Sequence, residues 1–387
     1  MINMKQKLSK LPTLFKLSNR VLISLVLFFS INQFVWGNQT SPVVNELKLI
    51  MKTNPDLKKD FEDAFAVQLK SSYWYGKSMD DMYQLFERWR VFNPKYENLR
   101  EYVSRFATFY SKPRHRGNIP KAINVIRDER FVTWMAKFVK SRGEYLDSNA
   151  SSIIVADFAK QKDINLGIYQ IPQQGYQSFN QFFTRKLKPG VRPIQSPENN
   201  SIMTSPADCN IWEQSSKLTK DSTVSVKGRQ FSVSKLLDDA EIAKRFIGGR
   251  AAICFLNPEN YHRFHAPINA TVSASKQLDG LYFGAKGFFS NFFEFRRAFY
   301  ILDTKNSGSI GMVAVGIATI SSVNMSKKTG DTVNKGDEIG FFAYGGSAIV
   351  LLFEPDQLQS AIYDKTENPY SYRSIGVSMG QEIGKLK

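Results

Sequence analysis

The sequence predicts an α+β chain, with an N-terminal helical region followed by a β-rich core, and two observations carry that division. Up to about Ala156 the apolar residues recur at helical spacing. After Ile164 they gather into short runs separated by Gly, Pro, Asn and Asp, the texture of strands and turns. At 387 residues, 42% of them hydrophobic, the chain is long enough to bury a full core and to hold two structural units.

In the first part, MDDMYQLFERWRVF places Met82, Leu85, Phe86 and Trp89 on one face of an amphipathic helix that ends before Pro94. Phe131, Trp134, Met135 and Phe138 repeat that spacing and predict a second helix from about Asp128 to Val139. Both aromatic stripes read as core, not as cofactor contacts. In the second part, Ala251 to Leu256, Ala298 to Leu302, Gly311 to Ile320 and Ala348 to Phe353 read as strands. The stretch GDTVNKGDEIG, Gly330 to Gly340, sets two Gly-Asp turns around Val333 ahead of an apolar strand. It resembles the hairpin of lipoyl-type domains and makes the expected core barrel-sandwich-like.

The N-terminus has its own grammar. Lys5, Lys7, Lys10, Lys16 and Arg20 stand without an acid, and the apolar run Val21 to Ile31 follows. These are the basic and apolar regions of a signal peptide. Asn32 and Gln33 interrupt the run, which falls short of the ~20 apolar residues of a membrane span. Val35-Trp36-Gly37 puts small residues at −3 and −1 of a cleavage before Asn38. Residues 1–37 are therefore expected to be a signal peptide and the protein to be exported, periplasmic or extracellular; an uncleaved membrane anchor is the alternative. The net charge of +17 favours polyanions, and does not by itself choose between nucleic acid and an anionic membrane surface. With only Cys209 and Cys254 the chain is not a disulfide scaffold, and whether the two pair stays open.

Chemistry is sparse enough to be legible. There are three histidines, and two, His262 and His265, share NPENYHRFHAP. Imidazole is a ready general base near neutrality, although a pair of histidines can equally be hydrogen-bonded core residues. A zinc site would need a third ligand; His115, in KPRHRG, has no partner visible in the sequence. In SPADCN, Asp208 follows a Pro-Ala turn and taken alone reads as a turn residue. Beside a histidine it would fix the imidazole tautomer. In YGGSAIVLLFEP, a Gly-Gly-Ser turn precedes an unbroken apolar run. Most such tripeptides are loops. Yet glycine leaves its carbonyl sterically open, so Ser347 Oγ could attack the Gly346 carbonyl and turn the peptide into an ester. Elimination and hydrolysis would then release ammonia and leave a pyruvoyl group on residue 347.

Four stretches in order, FNQFFTRKLKPGVRPI (Phe179 to Ile194), SPAD (Ser205 to Asp208), YHRFHAP (Tyr261 to Pro267) and KGDEIGFFAYGGSAIVLLFEP (Lys335 to Pro355), resemble the phosphatidylserine decarboxylases. The resemblance covers roughly half the chain and implies a catalytic domain over 156–387, preceded by a helical region over 38–155. It implies self-cleavage between Gly346 and Ser347, giving a β chain ending at 346 and an α chain of 347–387 that stay associated. It further implies that Asp208 and His265 act with Ser347 in processing and that His262 positions or decarboxylates the substrate; the missing third and fourth ligands leave no metal expected. The pyruvoyl group derived from Ser347 would be the cofactor, condensing with the substrate amine and accepting the electrons left as CO₂ departs. Two positions depart from the family pattern: Cys209 replaces a glycine, and Ala348 a small polar residue.

The implied substrate is phosphatidylserine and the product phosphatidylethanolamine, with an anionic phospholipid membrane and a homodimer as expected partners and no nucleic acid. GLYFGAKGFFSNFFEFRR, Gly280 to Arg297, mixes phenylalanines with Lys286, Arg296 and Arg297, as a lipid interface or a buried strand would. Three rivals stand beside this reading. One is a decarboxylase of free, aromatic amino acids in the same superfamily; another is a non-catalytic envelope lipid-binding protein; the third is a zinc peptidase of the cell envelope.

Overall fold

The computed structural model describes residues 40–112, 117–226, 229–278, 296–316, 322–345, 347–365 and 374–387. The expected signal peptide, His115, Gly346 and the phenylalanine-rich stretch up to 295 lie outside the described residues. Among the described residues no helix is long and apolar enough to cross a membrane.

Six helices build the N-terminal core: α1 (Pro42–Thr53), α2 (Pro55–Ala66), α3 (Met79–Arg90), α4 (Glu101–Tyr110), α5 (Pro120–Arg127) and α6 (Glu129–Asp147). α1, α2 and α5 each begin at proline, whose fixed φ suits the first turn and whose missing N–H would have had no helical partner. α3 is closed by a capping box in which Ser78 N–H donates to the Asp81 carboxylate at 2.9 Å. Its expected stripe, Met82, Leu85, Phe86 and Trp89, is buried. Phe86 sits among Trp134 (4.7 Å between ring centroids), Phe138 (4.9 Å) and Phe106 (5.4 Å). The buried Trp134 donates its indole N–H to the Val43 carbonyl. α6 runs eight residues beyond the expected end at Val139, because Arg142 and Leu146 continue the buried face past the polar stretch around Gly143.

A smaller core joins the two parts. α7 (Ile153–Phe158) crosses the division expected at 155/156, and with α8 (Phe179–Phe183) it packs Ile154, Phe158, Phe179, Phe182 and Phe183 around Leu146. The first strand starts only at Ile202, so the segment after Ile164 is turns and this short helix rather than sheet.

The strands are β1 (Ile202–Thr204), β2 (Cys209–Ser215), β3 (Thr223–Val226), β4 (Arg229–Ser232), β5 (Ala251–Leu256), β6 (Arg263–His265), β7 (Ala270–Leu278), β8 (Arg297–Asp303), β9 (Ser309–Gly316), β10 (Val323–Met325), β11 (Thr332–Val333), β12 (Glu338–Phe342), β13 (Ser347–Phe353), β14 (Leu358–Ala361), β15 (Ile375–Val377) and β16 (Glu382–Leu386). An eight-stranded sheet runs in the order β11-β7-β8-β9-β13-β5-β2-β15, beside three-stranded sheets β10-β12-β6 and β1-β16-β14. The four strands expected from sequence are β5, β8, β9 and β13.

β13 is the centre of the large sheet, paired antiparallel with β9 on one side and β5 on the other. Side chains alternate across a strand, so its apolar run feeds two cores. Ile349, Leu351 and Phe353 join Leu256, Phe264 and Met312 on one face, while Ala348, Val350 and Leu352 join Ile253, Phe299 and Val313 on the other. Each of the larger side chains contributes about 1.5–3 kcal/mol by leaving water. The expected Gly330–Gly340 hairpin does not form as such. β11 pairs with β7, whereas β12 lies between β10 and β6. Its two Gly-Asp turns do form: Asp331 accepts from Lys328 N–H and Asp337 from Asn334 N–H, and the turns send the chain from one sheet to another.

At Gly340 the strands β6 and β10 close in from both sides; an added Cβ would lie 2.3 Å from the Asn324 carbonyl and 2.3 Å from the Phe264 ring. Gly340→Ala should therefore lower stability by about 1–3 kcal/mol, read as a reduced melting temperature.

Candidate active site

The position of Ser347 follows from the alternation of β13. As an odd-numbered residue it shares a face with Ile349 and Leu351, the face whose core includes Phe264 of β6. Ser347 is fully buried, and among the described residues its Oγ has no hydrogen-bond partner. Leaving a buried hydroxyl unmet costs about 1–3 kcal/mol, so a nucleophile held this way retains its reactivity at the expense of stability. Ala348, one of the two departures from the family pattern, points to the opposite face among Ile253, Val313 and Val315. A hydroxyl there would enter an apolar core rather than the site.

Sheet pairing ties the turn that carries His262 to the segment before Ser347. Ser347 pairs with Leu256 at the end of β5, and Phe342 at the end of β12 donates its N–H to the His262 carbonyl at 2.9 Å. Residues 343–345 and 257–261 therefore lie between the same two pairings, Tyr344 and Gly345 on one side and the NPENY turn on the other. His262 is fully buried, its ring stacked on Phe183 at 3.8 Å between centroids and its Nδ1 2.9 Å from the Asn260 carbonyl.

His265, on β6, is buried with both ring nitrogens occupied. Nδ1 lies 2.7 Å from the Gly336 carbonyl, and Nε2 lies 3.0 Å from the Tyr261 hydroxyl. A carbonyl only accepts, so Nδ1 carries the proton and Nε2 is the basic nitrogen, accepting from Tyr261. Burial pushes the His265 pKa below the ordinary histidine value of 6.5, although the Gly336 carbonyl acts in the opposite direction.

Asp208 is near but is not the residue that orients His265. Its carboxylate forms a bidentate pair with Arg192, Nε to Oδ1 at 3.0 Å and Nη2 to Oδ2 at 2.7 Å, and accepts the Met379 N–H at 2.8 Å. The pairing raises the Arg192 pKa, led by the hydrogen bond to Asp208. Asp208 reaches the histidine through the backbone and through its field: His265 N–H donates to the Pro206 carbonyl at 2.8 Å, two residues from the acid. The task expected of Asp208, fixing the tautomer, falls to Gly336 and Tyr261. The other departure, Cys209, opens β2 beside the acid with its Sγ 3.8 Å from Ser205 Oγ. Cys209 and Cys254 are free, buried thiols on neighbouring strands. Burial, with Cys209 beside it, pushes the Cys254 pKa well up.

Several residues of the site carried no distinct signal in the sequence. Arg185, buried in the FNQFFTR stretch, donates to the Glu259 and Asn260 carbonyls at 2.6 and 3.2 Å and lies over the Tyr169 ring, clamping the turn that leads to His262. Tyr344 is seated between Phe179 and Phe183, and burial pushes its pKa up to about 12. Arginines and tyrosines are common. Only the fold shows which of them meet the reactive segment.

A buried serine after glycine, a neutral histidine with a defined basic nitrogen, and a second histidine in an apolar niche are the residue types that a rearrangement of the serine's own peptide bond would use. Comparison with known proteins gives the family. Residues 179–385 match the family model described as phosphatidylserine decarboxylase. The chain is 32% identical over 252 residues to the phosphatidylserine decarboxylase proenzyme of Fusobacterium nucleatum, covering 63% of this chain and 82% of that protein. It is 36% identical over 221 residues to the proenzyme of Chlamydia trachomatis, 55% of this chain and 71% of that one. It is also 34% identical over 249 residues to proenzyme 3 of Schizosaccharomyces pombe, of which the match spans 26%. Against proenzyme 2 of rice the match spans 40% of the relative's length.

The depressed His265 pKa sets a pH dependence. The folded chain keeps this imidazole neutral below pH 6.5, where the unfolded chain takes up the proton. The resulting contribution to stability is complete above about pH 6.5 and is lost as pH falls from there through the folded pKa. Any step needing neutral His265 should therefore keep its rate as pH is lowered through 6.5, with the acid limb of the rate profile centred below that value.

Proposed function

The chain belongs to the phosphatidylserine decarboxylase family, and from that premise we propose that it is a self-processing, pyruvoyl-dependent decarboxylase that converts phosphatidylserine to phosphatidylethanolamine and CO₂. The observation that carries the reading is the fully buried Ser347 with an unmet Oγ, set directly after two glycines on the face of β13 that looks toward β6.

In the proposed maturation, Ser347 Oγ attacks the Gly346 carbonyl carbon, its proton passing to the His265 side, and the C–N bond gives way to an ester. Loss of the Ser347 α-proton then breaks the Cβ–Oγ bond. That leaves the carboxylate of the β chain at Gly346 and a dehydroalanine at 347, which takes up water and releases ammonia. His265 fits the role of base because Nε2, the acceptor of the Tyr261 hydroxyl, is its basic nitrogen and a carbonyl holds Nδ1–H. Tyr261 must yield that nitrogen or relay the proton. The Arg192–Asp208 pair fixes the segment that hydrogen-bonds the β6 backbone, and so acts on His265 through its position.

The resulting group would supply an electron-accepting carbonyl at the head of β13. The same residues suit it: β13 is buried along its whole length, and His262, stacked on Phe183, stands where a proton could be delivered without bulk water. The basic and apolar leader supports export, and the net charge of +17 supports association with an anionic membrane.

Three outcomes are expected. The wild-type chain should yield a fragment beginning at position 347, whereas Ser347→Ala should stay whole across the 346–347 bond, without decarboxylase activity; a cleaved and active Ser347→Ala protein would overturn the proposal. His262→Ala should still be cleaved, but its turnover should fall by roughly 10²-fold or more, consistent with loss of a proton-transfer group. With phosphatidylserine liposomes run beside free serine and free tryptophan, CO₂ release should come from the lipid, and turnover of a free amino acid alone would replace the lipid reading.

A further inference from the structure

The segment entering Ser347 is held by a hydrogen-bonded chain that starts in the helical region. Asp147, at the end of α6, accepts from Asn180 Nδ2 at 2.9 Å; Asn180 Oδ1 in turn accepts the backbone N–H of Tyr344 at 3.1 Å. Tyr344 lies three residues before Ser347. Asn180 is 6% exposed, so its amide meets the Tyr344 N–H largely out of water.

The orientation of that amide is decided by Asp147. An amide can present either its oxygen or its nitrogen in a given direction, but a carboxylate only accepts and so fixes Nδ2 toward itself. Oδ1 is then left facing Tyr344. The same region grips the reactive segment elsewhere. The Tyr344 hydroxyl lies 3.5 Å from the Leu99 carbonyl, its ring packs on Phe179 and Phe183, and Phe183 stacks on His262. On the facing turn, Tyr96 donates its hydroxyl to Glu259 at 2.7 Å. Contacts from the helical side therefore reach both the segment before Ser347 and the NPENY turn.

Resting on the self-cleavage reading above, we propose that Asn180 is a positioning residue for that cleavage, and that Asp147 makes the helical region part of the processing machinery by setting the Asn180 amide. Its physical basis is tolerance: an attack within one chain requires the nucleophile and carbonyl in near-contact, and a misplacement of ~1 Å can cost on the order of 10²-fold in rate. A Tyr344 N–H without its acceptor would let the Tyr344-to-Ser347 segment drift from the start of β13.

The test is a pulse-chase of the full chain in cell-free synthesis, following the fragment that begins at 347, with melting temperatures measured on each product. Asn180→Asp brings two carboxylates together and should slow cleavage at least tenfold. Asp147→Asn keeps an acceptor for Nδ2 and should change little. The double swap Asn180→Asp with Asp147→Asn restores a donor facing an acceptor and should return cleavage to within about threefold of wild type. Asp147→Lys, at an exposed helix C-terminus that favours a cation, should preserve the fold yet turn the amide round and slow cleavage. Wild-type rates in both Asn180→Asp and Asp147→Lys, or a stable double swap no faster than Asn180→Asp, would overturn the role given to Asn180. A wild-type chain that stays whole would overturn the self-cleavage reading itself.

Discussion

The register of β13 between β9 and β5 is the constraint on which the site depends. With a side-chain period of two, a slip of one residue would exchange Ser347 for Ala348 on the face that looks toward β6, and would move Ile349, Leu351 and Phe353 out of their core. Burial on both faces makes such a slip expensive, since every residue of the strand is buried. The apolar run after the serine is thus the part of the sequence that aims the hydroxyl.

Around that strand the polar groups are arranged as fixed supports. Arg185 holds the turn before His262 by two backbone carbonyls, Gly336 holds the His265 ring, and Arg192 engages both oxygens of Asp208. In a dry interior each bond is stronger than at the surface, and each missing bond is costlier. Ser347 Oγ and, on the Arg185 side chain, Nε are buried polar atoms left unmet among the described residues.

The helical region is more than a passenger on the sheet. The aromatic core of α3 and α6 is complete in itself, yet the smaller core of Leu146, Phe158, Phe179 and Phe183 joins it to Tyr344. The helices and the segment before Ser347 thus share one packed junction.

Much of this was legible in the sequence. Helical spacing marked α3 and the first turns of α6, apolar runs marked β5, β8, β9 and β13, and four ordered motifs marked Asp208, His262, His265 and Ser347. These are local signals, readable because periodicity and turn chemistry act over a few residues. Three things were decided only in three dimensions. The Gly330–Gly340 turns connect two sheets instead of closing a hairpin, because partner choice lies with strands far away in the chain. Asp208 turns to Arg192, leaving His265 to Gly336 and Tyr261, because a buried carboxylate takes the guanidinium that the fold brings beside it. Asn180 and Asp147 gain their relation to Tyr344 across 164 and 33 residues of sequence, a distance that no local pattern spans. The sequence by itself determined which residues are candidates for reaction and which strand carries Ser347; the tertiary structure determined their partners, because hydrogen bonds are chosen by proximity in space and not by order along the chain.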